Sequence, residues 1–237
     1  MIPSGGILWH WRAWRSQQLW RRTAKQIEDW LLKQPTKAKE IVIIGASAGW
    51  MLPSSWLQKF QLITTYDIDP IAGHLFKLRH GSMIQKSHSS LVCHNADGLS
   101  NLNQLLSMHK NACFWFDNVL GQLRFHIKDN SELDAVSQRI NSLKLSMNGR
   151  EWGSIHDLYS GRVIKQPELH IPNSESALVD DASGTPKPFK NLISLNPQGP
   201  WLDHLCQEVF KNEQLVHYFA WPYQKDYWHV LQAGWGS

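Results

Sequence analysis

The residues best suited to chemistry fall at four successive places along the first half of the chain. Gly45-Ala46-Ser47-Ala48-Gly49 follows the apolar run 40–44. Small residues there let the backbone turn sharply and come close to a ligand. A helix starting just beyond them offers free N–H groups. Asp67 stands 22 residues after Gly45. That is close to the separation of about 20 at which an acid at the end of a second strand accepts from both hydroxyls of a ribose. Asp97-Gly98 follows the run 90–95, and Asp117-Asn118 closes the run 112–117. Each has a plainer reading. The glycine loop can be a ligand-free strand–helix turn, Asp97 a cap on the helix after it, and Asp117 and Asn118 ordinary loop polarity. What sets them apart is that polar groups at successive strand ends of an open parallel sheet face one crevice.

The elements that would place them alternate. Residues 40–44 (EIVII), 61–67 (QLITTYD), 90–95 (SLVCHN) and 112–117 (ACFWFD) are short and rich in β-branched and aromatic residues, and read as strands. Helical segments are expected at 52–60, with Pro53 in the first turn, and at 71–79, 99–109 and 133–145. Strand–helix alternation implies a parallel sheet with helices on both faces. Residues 154–159 (SIHDLY) read as a fifth strand. Residues 165–200 carry six of the eleven prolines and read as a long loop or lid. A helix is expected over 201–211. Residues 215–221 and 227–233 then read as a terminal antiparallel hairpin. The expectation is a single Rossmann-like domain over 1–237. It is a three-layer α/β sandwich with a mainly parallel seven-stranded sheet.

Residues 8–33 form one further helix, free of Gly and Pro, with Leu19, Trp20, Ala24, Ile27, Trp30 and Leu31 at helical spacing. Residues 1–40 hold eight Lys/Arg against three Asp/Glu, while the remainder is close to neutral. Any attraction to polyanions therefore comes from this segment. The helix can pack on the sheet with its basic face in water. It can also cover a pocket or make a weak nucleic-acid contact, since Arg interleaved with Trp holds phosphates and stacks on bases. Three cysteines without CxxC spacing argue against a disulfide framework or a Cys-rich zinc site. No His pair has the spacing of a helical metal motif, so no metal is expected. No apolar run reaches the roughly 18 residues of a membrane span, and no secretory leader is read at the N-terminus. A cytoplasmic protein is the expectation.

The series IVIIGASAGW, TTYDIDP, NADGL and FWFDNVLGQ resembles the successive motifs of class I S-adenosylmethionine-dependent methyltransferases, over roughly residues 40–123. The terminal hairpin matches the reversed last strands of that fold. The resemblance implies S-adenosylmethionine as cofactor. Gly45, Ala46, Ser47 and Gly49 would line its methionine part, and Asp67 would hold the ribose. Ile68 or Asp69 would flank the adenine, and Asp97 would accept from its amino group beside Gly98 or Leu99. Asp117 and Asn118 would lie near the methyl donor and the acceptor. Glu40 is an offset counterpart of the acid usual at the first strand, Ser47 stands where a glycine is common, and Asn118-Val119-Leu120-Gly121 is not the Asp/Asn-Pro-Pro-Tyr signature of base amino methylation. The acceptor class and the oligomeric state stay open.

An acceptor that loses a proton needs a general base. His156, with Asp157 to orient it, is the candidate, and Asp203-His204 a weaker one; a structural role for His156 is the competing reading. Two other readings compete for the whole chain. G-A-S-A-G also fits the G-x-S-x-G nucleophile elbow of serine hydrolases, with Ser47 as nucleophile and His156, His204, His217 or His229 as base. Only about 40 residues precede the loop, fewer than such a fold places before its elbow, and Asp67 would lack a role. The other alternative is a Rossmann-like scaffold that binds a partner or RNA through the basic helix. A dinucleotide dehydrogenase fits less well, for the third glycine of G-x-G-x-x-G is missing.

Overall fold

The structure is a computed structural model, and it describes residues 6–126, 133–163, 172–179, 185–194, 199–210 and 214–236. The chain divides into two compact units. The first holds residues 1–117, 149–153 and 237, and the second holds 118–148 and 154–236.

The first unit opens with α1 (Gly6–Lys33). Its buried residues, His10, Ala13, Trp20, Thr23, Ile27 and Leu31, recur every three, four or seven positions, so the helix buries one stripe and leaves the arginine-bearing side in water. β1 (Glu40–Ile44), β2 (Leu62–Asp67), β3 (Ser90–Asn95) and β4 (Cys113–Asp117) alternate with α2 (Ser54–Leu57), α3 (Ala72–Lys86) and α4 (Leu102–Met108). All pairings among these strands are parallel, in the order β3-β2-β1-β4. Ile41–Ile44 and Cys113–Phe116 are fully buried. The near-continuous apolar runs read from the sequence are what strands covered on both faces require. Trp56 packs edge-on against Trp115 at 5.4 Å, and Trp30 lies 6.2 Å from the same ring. The abundant tryptophans are thus partly core.

The second unit holds α5 (Leu133–Ser146), most of β5 (Trp152–Arg162), β6 (Glu175–Leu178), α6 (Lys187–Ser194), β7 (Leu202–Asp203), β8 (Leu215–Gln224) and β9 (Tyr227–Gly236). Its strands run in the order β5-β9-β8-β6, with β7 on β5. β8 and β9 form the expected hairpin, with Phe219 opposite Leu231 and Trp221 opposite His229.

Three expectations are corrected. Nine strands, not seven, occur among the described residues. The segment 165–200 is not one long loop: it contains β6, antiparallel to β8, and α6, which buries Phe189 and Leu192. Residues 164–171, 180–184 and 195–198 of the expected lid lie outside the described residues. Residues 201–210 of the expected helix 201–211 are not helical, and residue 211 lies outside the described residues. Leu202–Asp203 pairs with Ser160 and Tyr159, and Leu205 turns the chain with φ 60°. Cys206, Val209 and Phe210 are buried without helical geometry, because tertiary burial overrode the local periodicity.

Candidate functional site

In the first unit β1 ends in a sharply turned loop. Gly45 and Gly49 have φ 76° and 61°, and Ser47, with φ 48°, also lies in the left-handed region. At Gly49 any side chain would collide as well, since a Cβ would sit 2.6 Å from His80 Nε2 and 2.9 Å from Phe76. The strained Ser47 is secured from the next strand. Its N–H donates to Asp67 Oδ2 at 2.7 Å, and Asp69 N donates to Asp67 Oδ1 at 2.8 Å. Asp67 is therefore the anchor of the loop. Each of its oxygens keeps a second lone-pair direction for another donor.

α1 reaches this loop. Trp9 Nε1 donates to Ser47 Oγ at 3.2 Å, and Trp50 Nε1 donates to His10 Nδ1 at 3.1 Å. Accepting at Nδ1 leaves the His10 proton on Nε2, which faces Asp69 Oδ2 at 3.1 Å. Gly6 N also donates to that oxygen. Asp69 is thus buried and engaged by α1, whereas Ile68 is 71% exposed and open. Asp97 accepts from Ser100 N and Ser100 Oγ at 2.9 and 2.6 Å and begins the turn before α4, while Gly98 is buried behind it. Glu40 is held by His109 Nδ1 at 2.6 Å.

Asp117, at the end of β4, has its carboxyl pushed up to about 7. Burial is the main cause, the charge of Asp67 adds to it, and an interaction with Trp115 opposes it. Burial also raises Asp67, against the two backbone N–H donors that lower it. A carboxyl group raised by burial and by a neighbouring carboxylate forms a place where a cation is welcome.

The second unit assembles a different set. Asn118, with φ 55°, donates from Nδ2 to Asp157 Oδ2 and accepts from Asp157 N at Oδ1, both at 2.9 Å. The partner of Asp157 is His229, whose Nδ1 lies 2.7 Å from Oδ1. Burial alone would raise Asp157. The charge and hydrogen bond of His229, with help from His204 and Asn118, hold it down at about 2. An ionised carboxylate only accepts, so His229 donates to it from Nδ1. Its Nε2 is buried and has no hydrogen-bond partner among the described residues. Trp221 and Tyr223 stand 5.0 Å from the His229 ring and Tyr227 5.5 Å.

His204 completes a chain of fixed polarity. Its Nδ1–H donates to Gly121 O at 2.8 Å, so Nε2 accepts from Ser160 Oγ at 2.9 Å, and Ser160 in turn accepts from Tyr227 OH at 3.1 Å. Ligand atoms of Asp157, His204 and His229 lie within 4.8 Å of one another. In this arrangement, however, the bonds above engage the Asp157 oxygens and both His204 nitrogens.

His156 is placed elsewhere. It is fully buried, and its Nδ1 accepts from Ser154 Oγ at 3.0 Å while Nε2 donates to Gln232 Oε1 at 3.2 Å. Burial lowers it to about 4, so it stays neutral with both nitrogens satisfied. Adjacent residues of a strand point to opposite faces, so His156 and Asp157 do not pair. That alternation was the available signal, and His229 was the residue that the sequence weighed only as a hydrolase base. Ser47 Oγ, the hydrolase nucleophile of that reading, accepts from an indole.

No protein-family model and no curated protein matches the chain. Among solved structures it is similar to the rRNA methyltransferase aviRa from Streptomyces viridochromogenes (13% identity over 65% of this chain and 79% of that one, TM-score 0.37). It is similar to the O-methyltransferase TomG from Streptomyces achromogenes, solved with SAM (13%, 92% and 80%, TM-score 0.41). It is also similar to the glycopeptide N-methyltransferase MtfA, solved with S-adenosylmethionine (10%, 90% and 93%, TM-score 0.39). The fold of the chain is mixed α/β, parallel through β1–β4 and closed by a C-terminal antiparallel hairpin.

Proposed function

We propose that the chain is an S-adenosylmethionine-dependent methyltransferase. The observation that carries the reading is the β3-β2-β1-β4 order, with the Gly45–Gly49 loop, Asp67, Asp97 and Asp117 at the carboxyl ends of these strands. In open sheets the ligand crevice lies where the strand order reverses. Here that is between β1 and β4. The donor set fits the cofactor. The loop backbone would hold the methionine part, the spare lone pairs of Asp67 the ribose hydroxyls, exposed Ile68 the adenine face, and Asp97 the amino group. Raised Asp67 and Asp117 suit a ligand that carries positive charge.

When bound, S-adenosylmethionine supplies an electrophilic methyl group on a sulfonium. The chain's own part is positioning, which for an in-line displacement is the larger share. Asp67 fixes the loop by accepting from Ser47 N, and α1 holds Asp69 through Gly6 and His10 and Ser47 through Trp9. In the second unit Asp157 orients the His229 ring and Asn118 fixes Asp157. His156, neutral and saturated, is assigned to packing.

Calorimetric titration with S-adenosylmethionine and S-adenosylhomocysteine tests the reading. Micromolar binding by the natural chain, lost in Asp67→Ala and kept in His229→Gln, is the expected result. No binding by a chain whose circular dichroism shows it folded would overturn it.

A further inference from the structure

A groove of about 610 Å³ in the first unit lies apart from the strand ends, lined by α1, the segment 50–55 and α3. Arg79 contributes its guanidinium, stacked on the Trp50 indole at 4.4 Å. Its Nε is buried with no hydrogen-bond partner among the described residues. Arg79 as a residue is half-buried, but a guanidinium N–H taken from water without an acceptor is costly. The other charges in the groove do not supply one. Glu28 is taken by Ser55 Oγ at 2.6 Å and Lys25 at 3.1 Å. Arg21 lines the groove with no ion pair among the described residues. The groove therefore holds three cations: Arg21 and Arg79 have no carboxylate partner among the described residues, and Lys25 makes weak solvent-exposed pairs with Glu28 and Asp29.

The same helix carries the pattern outward. Trp11, Trp14, Gln18, Arg21 and Lys25 follow one another at steps of three and four and are all exposed, so they share one face of α1. Trp14 is 63% exposed, and Arg15 lies over the Trp11 ring at 4.8 Å. At about 1.5 Å per residue the stripe runs roughly 21 Å. Open indole faces alternating with cations and amides are what a flexible, base-bearing polyanion needs: phosphates for the charges, rings for the bases. The amides and hydroxyls lining the groove give hydrogen bonds that lipid tails do not use.

We infer that the groove and the stripe leading to it bind a single-stranded nucleic acid, with phosphates at Arg79, Arg21 and Lys25 and bases on Trp14. As a binding site this stands on its own observations; as the identity of the methyl acceptor it rests on the methyltransferase reading. The groove is also wired to the glycine loop. Ser54 Oγ donates to His80 Nδ1 at 2.8 Å, and His80 Nε2 donates to Gly49 O at 3.2 Å.

The test is fluorescence anisotropy of a short labelled single-stranded RNA with the full chain, across a salt series. The expected result is binding at about 50 mM salt that weakens with log salt by about 0.7 per phosphate contact. Arg21→Ala with Lys25→Ala should weaken it at least about tenfold and flatten the slope. Trp14→Ala should weaken it about tenfold, in the range of one stacked base, and leave the slope alone. All three positions are exposed, so the variants fold. Calorimetry with S-adenosylmethionine on the same variants should be unchanged, which separates this site from the cofactor reading. No RNA binding at low salt, RNA binding that all the variants retain, or capture by phosphatidylserine vesicles in place of RNA would overturn the inference.

Discussion

Two aspartates of this chain are pushed in opposite directions by their surroundings. Asp117, at a parallel strand end of the first unit, rises to about 7, and Asp157, on β5 of the second, falls to about 2. Burial raises both. The difference is the partner: Asp117 has the Asp67 charge against it, while Asp157 has His229 on one oxygen and Asn118 on the other. Among the described residues the second unit therefore closes a self-satisfied polar network around Asp157, with His229 Nε2 left over. The first has left carboxyl groups short of positive charge. A region whose electrostatics are complete is built for holding its own parts in place. A region whose electrostatics are incomplete is the candidate for a ligand that would complete them.

The largest expected effect comes from breaking the closed network. Asp157→Ala leaves buried His229 and half-buried Asn118 without their acceptor and should cost about 3–5 kcal/mol of folding stability by chemical denaturation. Because the folded Asp157 is lowered, its contribution is present above its ordinary carboxylate range and is lost as pH falls towards 2. A loss below about 1 kcal/mol would mean the network is not closed, and the contrast would fail.

Next in size is Gly49→Ala, in the open region. The left-handed backbone at this position costs a side chain about 1–3 kcal/mol, and its Cβ meets His80 as well. The expected outcome is destabilisation in that range together with weaker cofactor binding. An unchanged melting midpoint would show that the loop does not hold the conformation described.

The contrast also separates what the residues alone disclosed from what they did not. The strands β1–β4 and their polar ends were legible because parallel strands buried on both faces are continuous apolar runs, and because strand–turn–helix punctuation is local. The pairing of Asp157 with His229 spans 72 residues. It depends on where β9 lies in the second unit, and no local pattern carries that. β6 and α6 were hidden in a segment where proline and serine dominate the composition. β7 was hidden where apolar spacing imitated a helix. The occupation of Asp69 by His10 and Gly6 was invisible for the same reason as His229: α1 and β2 meet only through tertiary structure.

A pH series sharpens the open side of the comparison, with the smallest effect of the three. Asp117 titrates near 7, above its ordinary value, so the folded chain holds that proton more tightly than the unfolded one. This contribution to stability is complete below about 4 and is lost as pH rises through 7. Ligand binding should run the other way. A sulfonium favours the ionised carboxylate, whereas the neutral thioether of S-adenosylhomocysteine does not. Between pH 6 and 8 the affinity for S-adenosylmethionine should therefore gain several-fold on that for S-adenosylhomocysteine, where tenfold corresponds to about 1.4 kcal/mol. Asp117→Asn should flatten the ratio without abolishing either affinity, because Asp67 and the loop remain. A ratio that keeps its pH dependence in Asp117→Asn would assign the titration to another group and leave Asp117 as packing at the strand end. A flat ratio in the natural chain would mean that the two raised carboxyl groups do not face the charged end of the ligand.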